Sequence, residues 1–150
     1  MSGELIFIGM GLGKGDLTIK ALNILRKCDV VFCELYTSKP SDYQIDDLKR
    51  LIGKEINVLG RKEVEEGDTL IKNALERKVA FLVVGDPMVA TTHVSLRIEA
   101  EKKGIKTKVI NGVSVITAVP SALGLQHYKF GRTTTLAYPE DEYFPLSPYY

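Results

Sequence analysis

Short apolar segments alternate with amphipathic helical segments along the chain, and this alternation constrains the fold more than any other feature. The segment "VAFLVV", Val79–Val84, is apolar at every position, which is typical of a central parallel strand. Predicted strands cover residues 4–8, 30–35, 56–59, 79–84, 106–110 and 133–137, and predicted helices cover residues 17–27, 44–52, 68–78, 92–103 and 111–123. This order predicts an α/β domain with a mostly parallel sheet flanked by helices.

Residues suited to helix ends accompany these segments. Asp16 and Asp68 each precede an apolar-periodic segment and are predicted N-caps, as is Thr91 or Thr92 for a later helix. Gly53 follows the helix predicted over 44–52 and indicates its C-terminal stop.

Three glycine-bearing loops follow predicted strands, at Gly9–Asp16, Val83–His93 and Asn111–Val115. Because right-handed crossovers place every strand-to-helix loop at the same edge of a parallel sheet, we expect the three loops to lie together. Ligands of open α/β sheets bind at that carboxyl edge, so the loops are candidates for a ligand site.

The first loop, "GMGLGKGD", fits neither of two common phosphate-binding patterns. A P-loop requires a glycine five residues before Gly13 and a serine or threonine after Lys14, but these positions hold Ile8 and Gly15. The dinucleotide pattern GxGxxG also fails, because its third glycine would be Lys14 or Asp16.

The remaining pattern is Gly9-x-Gly11-x-Gly13, followed by Glu34 at the end of the second predicted strand. This spacing suits an adenosine cofactor whose ribose hydroxyls reach Glu34, in a methyltransferase or an unusual dehydrogenase. The alternative is a flexible loop in which the glycines supply positive φ angles and Glu34 is solvated.

The second loop, "VVGDPMVATTH", places Asp86 between two residues that control the backbone. Gly85 allows close approach of a ligand, and Pro87 restricts Asp86 to extended conformations, which fixes the direction of its carboxylate. Asp86 is therefore predicted to accept hydrogen bonds from a ligand, and the alternative is that it closes a turn. His93 falls in the first helical turn and is predicted to pack or cap rather than to act as a base.

Composition and the remaining polar residues narrow the function classes. The 150 residues are 45% hydrophobic with a net charge of +1, which fits one globular domain and shows no strong bias toward nucleic acid or anionic membranes. The N-terminus lacks a signal-peptide pattern, so a cytoplasmic location is expected. Cys28 and Cys33 are expected to be buried, reduced thiols, and no metal cluster, nucleophile elbow or two-carboxylate site is evident.

The last residues indicate a domain connection. Pro139–Pro145 has the composition of a linker, and Ser147 with Pro148 has the pattern of an N-cap followed by the first residue of a helix. We therefore expect an N-terminal α/β domain at 1–137, the start of a linker at 138–150, and a second domain outside this chain.

Three segments together resemble a known family: "FIGMGLGKGDLTIKALNILRKCDVVFCELYTS" (Phe7–Ser38), "VVGDPMVATTH" (Val83–His93) and "HYKFGRT" (His127–Thr133). They are similar to the tetrapyrrole-methylase-like family of S-adenosylmethionine methyltransferases, and within it to the diphthine synthases. The resemblance runs over nearly all of the chain. It implies a fold of two α/β domains that bind S-adenosyl-L-methionine between them, of which this chain covers the first.

The resemblance also implies a reaction, a partner and a set of contacts. The reaction is methylation of the amino group of a modified histidine on translation elongation factor 2, in diphthamide biosynthesis, by a homodimeric enzyme. The cofactor contacts that carry over are Leu12, Asp86, Val89, Ser114 and Val115. No catalytic residue is assigned, because the sulfonium of the cofactor is already an activated leaving group.

Several alternatives stay open at the level of sequence. Tyr36, Thr37 and Ser38 either line the substrate side or form a surface loop before Pro40. The function could instead be methylation of a tetrapyrrole precursor, oxidoreduction with a nicotinamide cofactor, or, for this chain alone, non-catalytic dimerisation.

Overall fold

The computed structural model describes residues 3–134, and the chain divides after Val115 into two compact units. The first unit contains a five-stranded sheet with strands β1 (Glu4–Gly9), β2 (Val30–Glu34), β3 (Asn57–Leu59), β4 (Lys78–Val83) and β5 (Lys106–Ile110). Its helices are α1 (Ile19–Leu25), α2 (Ile45–Ile52), α3 (Arg61–Glu66), α4 (Asp68–Ala74) and α5 (His93–Lys102). Helix α6 (Val115–Ala122) begins at the division, and a short 3-10 helix follows at His127–Lys129.

The sheet has the strand order β3-β2-β4-β1-β5, and every pairing is parallel. This confirms the predicted α/β class with a mostly parallel sheet. Strands β1 and β4 occupy central positions, and Phe7 pairs with Phe81 across them. Both phenylalanines are fully buried, with ring centroids 6.1 Å apart in an edge-to-face arrangement. Continuous apolar sequence in these strands follows from burial of both faces.

Helices cover both faces of the sheet. Buried residues of α1 and α2, including Ala21, Leu25 and Leu48, pack with Ile6 and Ile8 on one side. The other side holds a second core in which residues of α3, α4 and α5 pack against the strands, among them Val64, Leu70, Leu96, Leu5 and Phe7. The two cores leave the strand-to-helix loops together at the carboxyl edge.

Two of the predicted N-caps are wrong, and the predicted C-terminal stop is confirmed. Thr18, rather than Asp16, caps α1, because its side chain accepts a hydrogen bond from the Ala21 amide. Asp68 is the first residue of α4 rather than its cap, a position held by Gly67 in the left-handed region. Gly53 ends α2 at a φ of 76°, as predicted.

Two further differences concern whole elements. Helix α3 was not predicted, because only Val64 of its six residues is buried and no apolar period results. The strand predicted at 133–137 is absent at residues 133 and 134, and its remaining residues lie outside the described ones, as do the linker and domain boundary expected near residue 137. Among residues 3–134, no helix is long and apolar enough to cross a membrane.

Candidate functional site

The first and second loops meet through their glycine backbones. Gly11 N donates to Gly85 O at 3.3 Å and Gly85 N donates to Gly11 O at 2.8 Å. A Cβ on Gly9 would lie 2.4 Å from Gly85 O and 2.6 Å from Gly112 N, so no side chain fits at Gly9 without moving backbone. The three glycine-bearing loops are therefore in direct contact at the carboxyl edge, as the topology predicted.

Asp86 connects the second loop to the third. One carboxylate oxygen accepts from the Met88 amide at 3.1 Å, which closes a turn. The other accepts from Asn111 Nδ2 at 2.8 Å and from the Gly112 amide at 3.3 Å. Asp86 is only 8% exposed, and three hydrogen bonds leave about one of its four or so acceptor positions free. The turn reading is confirmed, and the predicted ligand contact at Asp86 stays a prediction.

Asp16 organises the first loop from within. Its Oδ2 accepts from the amides of Leu12 and Gly13, each at 3.0 Å. The carbonyl oxygen of Leu12 accepts from the Ser41 amide at 2.9 Å. Both backbone polar groups of Leu12 are thus engaged within the protein, and its half-buried side chain, with Cδ2 close to Gly85, is the part suited to contact a ligand.

The other predicted cofactor contacts are Val89 in the second loop and Ser114 and Val115 in the third, and their role stays a prediction. Val89 is half-buried, and its amide donates to the Asp86 carbonyl at 3.3 Å. Ser114 is buried, whereas Val115, the first residue of α6, is 54% exposed. Ala90, directly after Val89, has a φ of 57°, a strained value for a residue with a side chain. The second loop is therefore held in an unusual backbone conformation beside the predicted contacts.

The surroundings of Glu34 differ from both predictions, which were a contact with a ribose and a solvated carboxylate. The Glu34 side chain is 1% exposed, like that of His93, and its Oε1 lies 3.3 Å from His93 Nε2 inside the protein. Its Oε2 accepts from the amides of Tyr36 and Thr37 at 3.1 and 3.0 Å. Burial by itself would raise the pKa of Glu34, but the hydrogen bonds from His93 and Thr37 outweigh burial and hold that pKa below its ordinary value of 4.5.

His93 packs, as predicted. Its ring meets Phe81 edge-to-face with centroids 5.1 Å apart, and its backbone N–H donates to Thr91 Oγ1 at 3.4 Å. Thr91 thus contributes to the start of α5, whereas Thr92 occupies the N-cap position without a side-chain capping bond. The hydrogen bond from His93 to Glu34 joins residues 59 positions apart and was not predicted. The sequence signal for it was that Glu34 ends β2 and that His93 begins the helix after β4.

The loop after β2 is held by hydrogen bonds from its backbone amides to the Glu34 carboxylate. The Tyr36 hydroxyl is buried with no hydrogen-bond partner among residues 3–134, and the Arg61 guanidinium lies 5.2 Å from the centre of the ring. Burial, helped by the charges of Glu34 and Glu65, raises the pKa of Tyr36 to about 12. Thr37 and Ser38 are exposed, so the loop is compatible with both of its predicted roles.

The two cysteines and His127 lie outside the three loops. Cys28 and Cys33 are free and buried, as predicted. His127 lies exposed in the 3-10 helix. Residues 3–134 contain no group of three histidine, cysteine or acidic residues placed to hold a metal ion.

Residues 4–147 match the model of the family Tetrapyrrole (Corrin/Porphyrin) Methylases. The chain belongs to this family. This confirms the resemblance to tetrapyrrole methylases that the three sequence segments indicated.

Relatives within the family carry a narrower name. The diphthine synthase of Methanothermobacter thermautotrophicus is 47% identical over 97% of this chain and 55% of its own length. That of Methanocaldococcus jannaschii is 46% identical over 97% of this chain and 57% of its own. A crystal structure of a diphthine synthase superposes with a TM-score of 0.80 at 42% identity, covering 85% of this chain and 51% of that one. The chain thus spans about half the length of the relatives it matches.

Proposed function

We propose that this chain is the cofactor-binding part of an S-adenosylmethionine-dependent methyltransferase of diphthamide biosynthesis. The observation that carries the proposal is the joining of three glycine-bearing loops by the Gly11–Gly85 backbone pair and by the Asp86 carboxylate. The similarity to proteins named diphthine synthase supports the choice of reaction.

The residues of the three loops fit the proposed cofactor. Asp86 keeps one acceptor position for a hydroxyl or ammonium group, both of which the cofactor carries. Leu12, Val89 and Val115 offer apolar side chains for its purine ring, and Ser114 completes the third loop. When bound, the cofactor supplies a methyl group on a sulfonium, an activated leaving group. The task of the chain is then to hold the cofactor in one orientation and exclude water.

We infer that the methyl acceptor is the amino group of the modified histidine on elongation factor 2. An amine of this kind has a pKa of about 8, so an appreciable neutral fraction exists at neutral pH without a strong base. The loop Tyr36–Ser38, at the same sheet edge, is proposed to face this substrate. A homodimer, implied by the same resemblance, and a cytoplasmic location are both part of the proposal. Light scattering checks the first and cell fractionation checks the second.

Three alternative functions were left open by the sequence. Oxidoreduction with a nicotinamide cofactor is disfavoured, because the first loop lacks the GxGxxG spacing of dinucleotide-binding sites. Methylation of a tetrapyrrole precursor fits the family equally well, and it differs from the proposed reaction only in the molecule that accepts the methyl group. A non-catalytic dimerisation role for the chain by itself predicts a defined dimer without cofactor affinity.

The decisive assay uses the complete product of the gene that encodes this chain. We expect saturable binding of S-adenosylhomocysteine but not of NAD, and transfer of labelled methyl from the cofactor to modified elongation factor 2 rather than to a porphyrin precursor. Transfer only to the porphyrin precursor would establish the alternative methylase. Tight NAD binding without a response to S-adenosylhomocysteine would overturn the proposal.

A variant pair tests the role of Asp86. We expect Asp86→Ala to weaken S-adenosylhomocysteine binding by about 1–3 kcal/mol, the cost of losing a buried acceptor. Asp46→Ala, on the exposed face of α2, is the matched control and should leave affinity unchanged. Unchanged affinity for a folded Asp86→Ala protein would restrict Asp86 to its turn.

A further inference from the structure

A buried hydrogen-bonded pair joins the end of β2 to the first residue of α5. The side chains of Glu34 and His93 are each 1% exposed, and Glu34 Oε1 lies 3.3 Å from His93 Nε2. Moving a carboxylate out of water is costly, and apolar residues of similar volume in place of such a pair often leave a protein equally stable or more stable. The pair is therefore better explained by what it holds in place than by the stability of the core.

Glu34 holds the backbone of the loop after β2, and His93 holds Glu34. A carboxylate can only accept, so His93 Nε2 donates to Oε1, while Oε2 accepts from the amides of Tyr36 and Thr37 at 3.1 and 3.0 Å. The His93 ring is itself fixed by its edge-to-face contact with Phe81, at a centroid distance of 5.1 Å. The first residues of the loop are thus bound to a buried support.

The same loop is tied at its far end to the first glycine-bearing loop. The Ser41 amide donates to the Leu12 carbonyl at 2.9 Å, and Asp42 Oδ1 accepts from the Lys14 amide at 2.6 Å. A Cβ on Gly13 would lie 3.0 Å from both Asp42 Oδ1 and Ser41 Oγ, so the two loops are in close contact. One end of the loop after β2 is therefore set by Glu34, and the other is set by the loop that carries Leu12, a proposed cofactor contact.

Three successive residues, Thr37, Ser38 and Lys39, are exposed between these two anchors. They offer two hydroxyls and an ammonium group at the carboxyl edge of the sheet. Tyr36, directly before them, packs its half-buried ring against the second core, with the Arg61 guanidinium 5.2 Å from the ring centre. The exposed residues are therefore presented from a backbone that is fixed on both sides, which lets a substrate bind without the cost of first ordering a loop.

The second glycine-bearing loop is held in a different way. Thr91 Oγ1 donates to the Pro87 carbonyl at 2.8 Å and accepts from the His93 amide at 3.4 Å. Both bonds use backbone atoms of Pro87 and His93, so they survive a substitution of the His93 side chain. The side chain of His93 therefore serves the loop after β2, and the loop that carries Asp86 keeps its own bonds without it.

We propose that Glu34 and His93 are positioning residues for the methyl acceptor. By holding the Tyr36 and Thr37 amides, the pair keeps the segment Thr37–Lys39 in the conformation that meets the acceptor. Neither side chain of the pair touches the acceptor, and both act through the backbone of the loop. This role rests on the proposed function, which supplies the acceptor and places the loop on the substrate side.

His93→Phe in the complete gene product tests this role. Phenylalanine keeps a ring packed on Phe81 but removes the donor to Glu34, so the carboxylate is expected to turn toward water and release the two amides. The KM for modified elongation factor 2 should rise about five- to thirtyfold, because the acceptor must then order a loop residue when it binds. The kcat should change little, as for a loss of uniform binding, and the affinity for S-adenosylhomocysteine should stay unchanged. Glu34→Gln, which keeps the shape of the side chain, should show the same split and replaces His93→Phe if that variant does not fold.

Two further measurements separate this role from a loss of stability. Ile71→Ala removes a buried side chain of α4 from the second core and should lower stability without changing the KM. Amide hydrogen exchange follows the loop without any reaction, and Tyr36 and Thr37 should exchange faster in His93→Phe than in Ile71→Ala. An unchanged KM in folded His93→Phe, an equal rise in Ile71→Ala, or unchanged exchange of the two amides would overturn the proposal. An unmodified gene product that transfers no methyl group to elongation factor 2 would instead refute the proposed function, and hydrogen exchange would then decide whether the pair holds the loop.

Discussion

Glu34→Gln is the substitution that examines the buried centre of the molecule most closely. Glu34 is almost fully buried and accepts hydrogen bonds from His93 and from the amides of Tyr36 and Thr37. Glutamine has the same shape, so no cavity results and the effect isolates the charge. Its carbonyl oxygen can still accept from the two amides, while its NH₂ group faces His93, which must change tautomer to accept from it.

The expected loss follows from the two amide bonds. A hydrogen bond to a charged group contributes about 1.5–3 kcal/mol and one between neutral groups about 0.5–1.5 kcal/mol, so each bond loses about 1 kcal/mol. We therefore expect Glu34→Gln to lower the free energy of unfolding by about 2 kcal/mol at neutral pH.

The stability difference between the two proteins should depend on pH. Because the pKa of Glu34 is lowered in the folded state, its charge contributes stability above the ordinary value of 4.5. That contribution is lost as the pH falls through the folded-state pKa, where the carboxyl becomes protonated and resembles glutamine. The difference between the two proteins should therefore be largest at neutral pH and disappear in acid.

Urea unfolding followed by circular dichroism, repeated from neutral pH into the acid range, measures this difference. Glu66→Gln is the control, because Glu66 is exposed and its 3.8 Å pair with Lys62 contributes little. Equal stability of Glu34→Gln and the unmodified protein at neutral pH would refute the assigned role of Glu34. A difference that persists unchanged into acid would refute its attribution to charge.

Substitutions at two glycines and alkylation of the two cysteines have definite expected outcomes. Gly9→Ala should destabilise the fold by at least about 3 kcal/mol, because its Cβ would meet the backbone of Gly85 and Gly112. Gly15→Ala, which has open space around it and only a positive φ, should cost roughly 1–2 kcal/mol. Urea unfolding compares the two variants, and equal costs would contradict the close approach of the loops. Burial raises the pKa of the Cys28 thiol to about 11 and raises that of Cys33 as well, so neither should react with iodoacetamide in the folded protein at neutral pH; mass spectrometry checks this, and rapid alkylation before unfolding would show that the core opens.

The sheet could be predicted because its central strands are buried on both faces. Strand β4 needs apolar side chains at successive positions, and Val79–Val83 is fully buried as that pattern requires. Helix α3 could not be found in the same way, since it covers the core with Val64 alone. Apolar periodicity reports burial, so an element with a single buried residue leaves no period to detect.

The placement of the loops was predictable, but the partners of their side chains were not. Alternating strands and helices imply that the loops after β1, β4 and β5 share an edge, whatever their sequences. Asp16 was predicted to cap a helix because a suitable segment follows it, yet its carboxylate turns back to the Leu12 and Gly13 amides. The Glu34–His93 bond depends on β2 lying beside β4, an adjacency that chain order does not contain.

The central claim is that the three loops form one wall of a cofactor site, and a chemical-shift map tests it most directly. The ¹⁵N-labelled complete gene product is titrated with S-adenosylhomocysteine, and the shifts of backbone amides are recorded. The proposed function predicts that the largest changes in this part of the protein fall at Leu12, Asp86, Val89, Ser114 and Val115 and in the loops that carry them. Saturable binding that leaves all three loops unperturbed, or no binding at all, would contradict it.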